Sequence, residues 1–206
     1  MWNWIKDKLS TLIGKINWFT SHTLEKPREF NIVREKLKDN YYIILTRHDG
    51  HLSTFFIALS HFVLTGTWGY YAHVLMNMED GVNADSDYRF IEATGKGVHY
   101  SDFNEVFDPQ CSSVALLKPK GLTLADWTEC LDKAKTEIGK PYDTLFDLAN
   151  DQELSCVEVV RVALQSLPDY DIHFAEFEKM INRAHNLDPH MFYECPDFEV
   201  VWEKRH

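Results

Sequence analysis

The sequence predicts an α+β domain in which an antiparallel sheet or small barrel packs against helices. Three observations carry that prediction. Short β-branched and aromatic runs cluster in the middle of the chain, and helical periodicities follow them. A chain of 206 residues that is 45% hydrophobic can also bury one proper core. The chain divides into residues 1–40, an amphipathic helix with a connector, and residues 41–206, the main domain.

Residues 2–19 repeat Trp2, Ile5, Leu9, Leu12, Ile13, Ile16 and Phe19 at three- and four-residue spacing, with Lys6, Lys8 and Lys15 between them. Such a stripe packs on a domain or a partner protein, or lies on an anionic membrane surface. Residues 22–40 read as a polar connector with a short helix. Tyr41 to Thr46 is a buried strand ended by Asp49-Gly50, and residues 51–65 form a helix ended by Gly66. Tyr70 to Met76 and Tyr88 to Ala93 are strands flanking a polar loop at 77–87, the second closed by Gly95 and Gly97. Val114 to Lys118 is a fourth strand. Thr123 caps a helix over 123–138 with Gly139 past its end, and helices follow at 156–167 and 174–185. Phe198 to Trp202 is the last strand.

Charge is uneven. Residues 1–48 hold nine Lys/Arg against five Asp/Glu, whereas residues 49–206 hold twelve against 27. An acidic body lacks the clustered cations that phosphate neutralisation needs, so nucleic acid is not an expected partner. No run of about 18 apolar residues occurs, which excludes a membrane-spanning helix. The four cysteines at 111, 130, 156 and 195 form no CxxC pair, and no secretory leader is evident. The expectation is a cytoplasmic protein with reduced thiols, peripheral membrane contact through residues 1–20 being the one qualification.

The most informative local signal is Leu154-Ser155-Cys156-Val157-Glu158. Ser155 and Glu158 form a capping box, which places Cys156 in the first turn of a helix. There the free N–H groups and the positive dipole end stabilise a thiolate, although a small buried cysteine behind a cap would read the same way. His73 interrupts an apolar strand and needs partners for its ring nitrogens, in a catalytic pair or on backbone. Glu92 shares a strand face with Tyr88 and Phe90. If the strands at 70–76 and 88–93 form a hairpin, its carboxylate lies beside His73; His99 or Asp102 could serve instead. His48, His51, His61 and His99 lack a metal-ligand spacing, and no GxSxG turn is present. No metal or cofactor is expected.

These residues, in this order, resemble the circularly permuted NlpC-type papain-like cysteine hydrolases, the YiiX-like group. Tyr42-Ile43-Ile44-Leu45-Thr46-Arg47 resembles that family's opening strand, and Tyr71-Ala72-His73-Val74 its histidine strand. Phe90-Ile91-Glu92-Ala93 with Gly97-Val98, then Gly139-Lys140-Pro141-Tyr142-Asp143, then Leu154 to Val160, follow in family order. The tail from Leu187-Asp188-Pro189 to Val200 is similar as well. The resemblance spans residues 41–203. It implies a circularly permuted papain-like fold with Cys156 as nucleophile, His73 as base and Glu92 as orienter. Tyr142 and backbone near Ser155 are the implied oxyanion or substrate-binding groups. The implied activity is hydrolysis of an amide bond in a small peptide or peptidoglycan stem fragment. Ala72 and Leu75-Met76-Asn77 depart from the family pattern around the histidine. A lipid-directed thioesterase or acyltransferase with the same triad, and a non-catalytic binding module, are the rival expectations.

Overall fold

The computed structural model describes residues 27–38, 40–49, 52–78, 90–144, 148, 150–184 and 187–205. The amphipathic segment at 2–19 and the loop read at 77–87 lie wholly or largely outside them. The chain runs α1 (Pro27–Leu37), β1 (Ile43–His48), α2 (Leu52–Thr65), β2 (His73–Asn77), β3 (Phe90–Thr94), β4 (Gly97–Ser101) and α3 (Phe103–Val106). It continues through β5 (Cys111–Pro119), α4 (Leu124–Thr136), α5 (Cys156–Leu164), α6 (Tyr170–His173), α7 (Ala175–Ala184), α8 (Pro189–Glu194) and β6 (Phe198–Lys204).

Six strands form one antiparallel sheet in the order β4-β3-β2-β1-β5-β6. Among the described residues β4 and β6 are its edges, so the sheet is open and not the small barrel that was one expectation. The central strands read as unbroken apolar runs because both of their faces are covered. Ile43, Leu45, Val74, Met76, Ala115 and Leu117 enter the larger core with α4, α5, α7 and α8. The alternating Ile44, Leu75 and Leu116 enter a second core with Val33 and Leu37 of α1 and Phe103 and Val106 of α3. A period of two therefore feeds two cores from one strand.

One strand escaped the sequence reading inside this layer. Gly95 and Gly97 look like the end of a strand, yet Thr94 pairs with Gly97 across a tight turn and β4 runs on. Gly97 adopts φ +88°, and a Cβ there would meet the Lys140 carbonyl oxygen at 2.4 Å. Only glycine satisfies both demands. The Val98 N–H donates to Lys140 O and the Gly139 N–H to Val98 O, both at 2.9 Å. The segment leaving α4 is thereby fastened along β4, and the Leu154 N–H donates to Pro141 O at 3.0 Å. These bonds aim Tyr142 and the start of α5 at the end of β2.

Candidate active site

His73 is the first residue of β2, and α5 packs over β2 and β3 with Cys156 in its first turn. The Ser155–Glu158 capping box forms as its spacing predicts. The Ser155 N–H and hydroxyl both donate to Glu158 Oε2, at 2.8 and 2.6 Å. This fixes the helix start, and with it the sulfur, at the strand's end. Ser155 is fully buried with its amide and hydroxyl committed to Glu158, so it positions the helix that begins with Cys156.

The His73 ring contacts Glu92 through Nε2, 2.5 Å from Oε2, and lies near enough to the Cys156 sulfur to feel its charge. The expected neighbourhood of His73 and Glu92 arises because β2 and β3 are antiparallel, with Met76 opposite Ile91 and Asn77 opposite Phe90. The alternatives to Glu92 have other tasks. The His99 Nδ1–H donates to Gly97 O at 2.8 Å, with Nε2 standing 3.7 Å from Glu92. Asp102 caps α3 by accepting from the Asn104 and Glu105 amides.

The electrostatics follow from burial and charge. Burial opposes a charge on His73, but the Cys156 sulfur and then Glu92 outweigh it and hold its pKa up at about 10. Burial likewise opposes a charge on Glu92, but His73 holds that carboxyl down at about 2. The arrangement thus favours imidazolium between two acceptors. Tyr142 meets the same sulfur by hydrogen bond; burial, then that sulfur's charge, raises its pKa and keeps it a phenol donor. Burial pushes Glu158 above the ordinary carboxylate range against the Ser155 hydrogen bonds, with the fully buried Asp143 beside it. The other three cysteines are inert by contrast. Burial pushes Cys130 and Cys195 up to about 12 and Cys111 higher still.

A cavity of about 410 Å³ has His73, Glu92 and Tyr142 in its wall, while Cys156 lies buried behind it. Ala72, Ile57 and Val106 supply apolar surface, while His48, Glu105 and Asp108 make it polar and acidic. About a fifth of the His73 side chain remains accessible, against 8% for Glu92, so the imidazole meets solvent and its carboxylate does not.

No family model matches the chain, and no curated protein matches it in sequence. One solved structure is similar. It is the metalloprotein YiiX of Escherichia coli O157:H7 (DUF1105), at 17% identity and a TM-score of 0.57, covering 82% of this chain and 99% of that one. At that identity the likeness establishes a shared fold, with the mixed α+β architecture above. Among the described residues no helix is long and apolar enough to cross a membrane.

A second polar cluster lies elsewhere in the fold, where α2 meets α8. His61, His190 and Glu194 bring one ligand-type atom each within 4.8 Å of one another. The sequence reading passed over it by weighing His61 without His190. The overlooked signal is Asp188-Pro189-His190, a cap followed by proline at a helix start, with Glu194 four residues after His190 on the same face.

Proposed function

We infer that this chain is a cysteine hydrolase of circularly permuted papain-like design, cleaving an amide bond in a small peptide or a peptidoglycan stem fragment. One observation carries the reading: a single imidazole rests on a buried carboxylate and interacts with the charge of a cysteine sulfur at a helix start. The histidine strand precedes the cysteine helix in the chain, as in the permuted order.

The chemistry assigned to these groups balances simply. The Cys156 thiolate attacks the substrate carbonyl carbon, and the carbonyl electrons move onto oxygen. The Tyr142 hydroxyl and the free amides of the first turn of α5 are the donors in reach of that oxyanion. His73 then gives its proton to the leaving nitrogen as the C–N bond breaks, leaving a thioester. Water, deprotonated by neutral His73, attacks the thioester and releases the carboxylic acid and the thiolate. Glu92 holds the ring orientation and favours its charged form throughout.

The cavity rim favours peptides over phospholipid, because Glu105 and Asp108 repel a phosphate headgroup and suit an amine. The test is release of free amine from a panel of stem-type peptides and acyl dipeptides by the full chain. Cys156→Ser must abolish it, and a fatty thioester serves as the competing substrate. Thioester turnover without amide turnover would select the lipid-directed reading. Absence of both, together with unselective alkylation of the four cysteines, would leave only a binding module.

A further inference from the structure

We propose that His61, His190 and Glu194 form a binding site for one divalent zinc ion, which clamps α2 to α8 beside the strand carrying His73.

Two imidazoles and a carboxylate are the donor types zinc takes, at about 2.0–2.2 Å from the metal, which spaces tetrahedral ligand atoms roughly 3.3 Å apart. Here His61 Nε2 stands 3.5 Å from Glu194 Oε2, and His190 Nε2 stands 3.7 Å from Glu194 Oε1. The atoms already approach ligand spacing without a covalent reason to do so.

The surroundings of His61 are arranged as a metal ligand requires. The Nδ1–H of His61 donates to Asp188 Oδ2 at 2.8 Å, which turns Nε2 toward Glu194. The other oxygen of Asp188 accepts the His190 N–H at 2.9 Å and caps α8. One buried carboxylate thus orients the first ligand and the helix that bears the other two. His190 is held between rings, stacked on Tyr193 at 5.5 Å and 6.0 Å from Tyr71.

His190 supplies the observation that a purely structural cluster leaves unexplained. Its side chain is more than nine-tenths buried, its Nδ1 has no hydrogen-bond partner, and its Nε2 lies beyond hydrogen-bond reach of Glu194. An imidazole this buried that makes no hydrogen bond through its ring is costly, and a cation taken at Nε2 would offset that cost. Glu194 is a third exposed, which leaves an entry path. The Thr67 hydroxyl, 3.1 Å from His61 Nε2 and 3.3 Å from Glu194 Oε1, borders the remaining position. Gly69 is part of the same construction, since a Cβ there would strike the His61 Cβ at 2.8 Å.

The test uses the tag-free full chain, stripped with chelator and titrated with zinc chloride against a chromogenic chelator, with metal content measured independently. One zinc per chain is expected, with a tetrahedral spectrum on cobalt substitution and a rise in Tm on zinc addition. Glu194→Gln should weaken binding tenfold or more and His190→Ala should remove it, while Cys156→Ser retains the full equivalent. Glu194→Gln carries the result if His190→Ala fails to fold, because its side chain is part-exposed. Zinc lost in Cys156→Ser would place the ion at the thiol and overturn the assignment. So would full affinity in Glu194→Gln. A folded parent that takes no zinc would also overturn it, leaving an imidazolium held between Asp188 and Glu194. None of these outcomes depends on the chain being a hydrolase.

Discussion

His73 and His61 both rest against buried carboxylates, and they differ in what faces the far side of the ring. His73 has Glu92 on one side and a sulfur on the other, at the wall of a cavity. His61 has Asp188 on one side, with Glu194 and a second imidazole beyond, in a packed corner between two helices. The same pair of groups therefore has two uses. Facing a thiol, a carboxylate-supported imidazole can take and return a proton. Facing other lone pairs, it can share a cation. The third partner decides, and the strand or helix on which each residue sits chooses that partner.

The largest expected effect separates the two at once. His73→Ala should slow iodoacetamide labelling of Cys156 at neutral pH by about 10²-fold or more, the scale on which a positioned base acts. In the parent, peptide mapping should find the label on Cys156 well before Cys111, Cys130 or Cys195, whose thiols burial holds in the protonated form. Equal labelling of all four would mean that His73 activates nothing.

Glu92→Gln sharpens the same side of the comparison through pH. His73 is raised from its ordinary 6.5 to about 10, so its contribution to stability is complete below 6.5 and is lost as pH rises through about 10. Glu92 is lowered from 4.5 to about 2, so its contribution is complete above 4.5 and is lost as pH falls through about 2. The two windows overlap between pH 4.5 and 6.5. The Tm difference between parent and Glu92→Gln should be greatest there and shrink as pH approaches 10. Labelling of Cys156 should fall by roughly tenfold, less than for loss of the ring. A Tm difference independent of pH would mean that the pair is not ionic.

Much of the first site was legible in the sequence, because each of its residues breaks a local pattern. Cys156 follows a capping box, His73 interrupts an apolar strand, and Glu92 puts a carboxylate on a face otherwise aromatic. The second cluster was not legible residue by residue. His61 lies in an apolar helix and meets His190 and Asp188 at a sequence separation above 120, which no local spacing announces. The strand β4 was obscured differently. Gly97 reads as punctuation, and only the approach of Lys140 from another part of the chain shows why a strand should begin with glycine. Ser155 was legible as a cap because Glu158 follows it at the spacing a capping box needs.

Gly97→Ala probes how firmly the first site depends on that approach. Positive φ together with a 2.4 Å contact to backbone should cost roughly 1–3 kcal/mol, read from denaturant midpoints at unchanged slope. Because Lys140 leads directly to Tyr142, the displacement should also slow turnover beyond what the stability loss explains. An alanine variant with parental stability and turnover would mean that the fastening of residues 139–142 to β4 is slack.

Asp188→Asn should have the smallest effect on the thiol and tests whether the two histidine sites are independent. The amide oxygen can still cap α8 by accepting from the His190 N–H. Its NH₂ then faces His61 Nδ1, and the ring can accept there only as the neutral Nε2–H tautomer, losing the charged pair with the carboxylate. Losing a buried hydrogen bond to a carboxylate should cost about 1.5–3 kcal/mol, seen as a lower denaturant midpoint. Cys156 labelling should stay within about twofold of the parent, since Asp188 touches neither the sulfur nor its base and distant sites act additively. Tyr71 bridges the regions, lying 6.0 Å from His190 and two residues ahead of His73. A labelling rate that fell with the midpoint would show that the helix corner sets the position of β2, and the two histidines would then have to be treated as one coupled device.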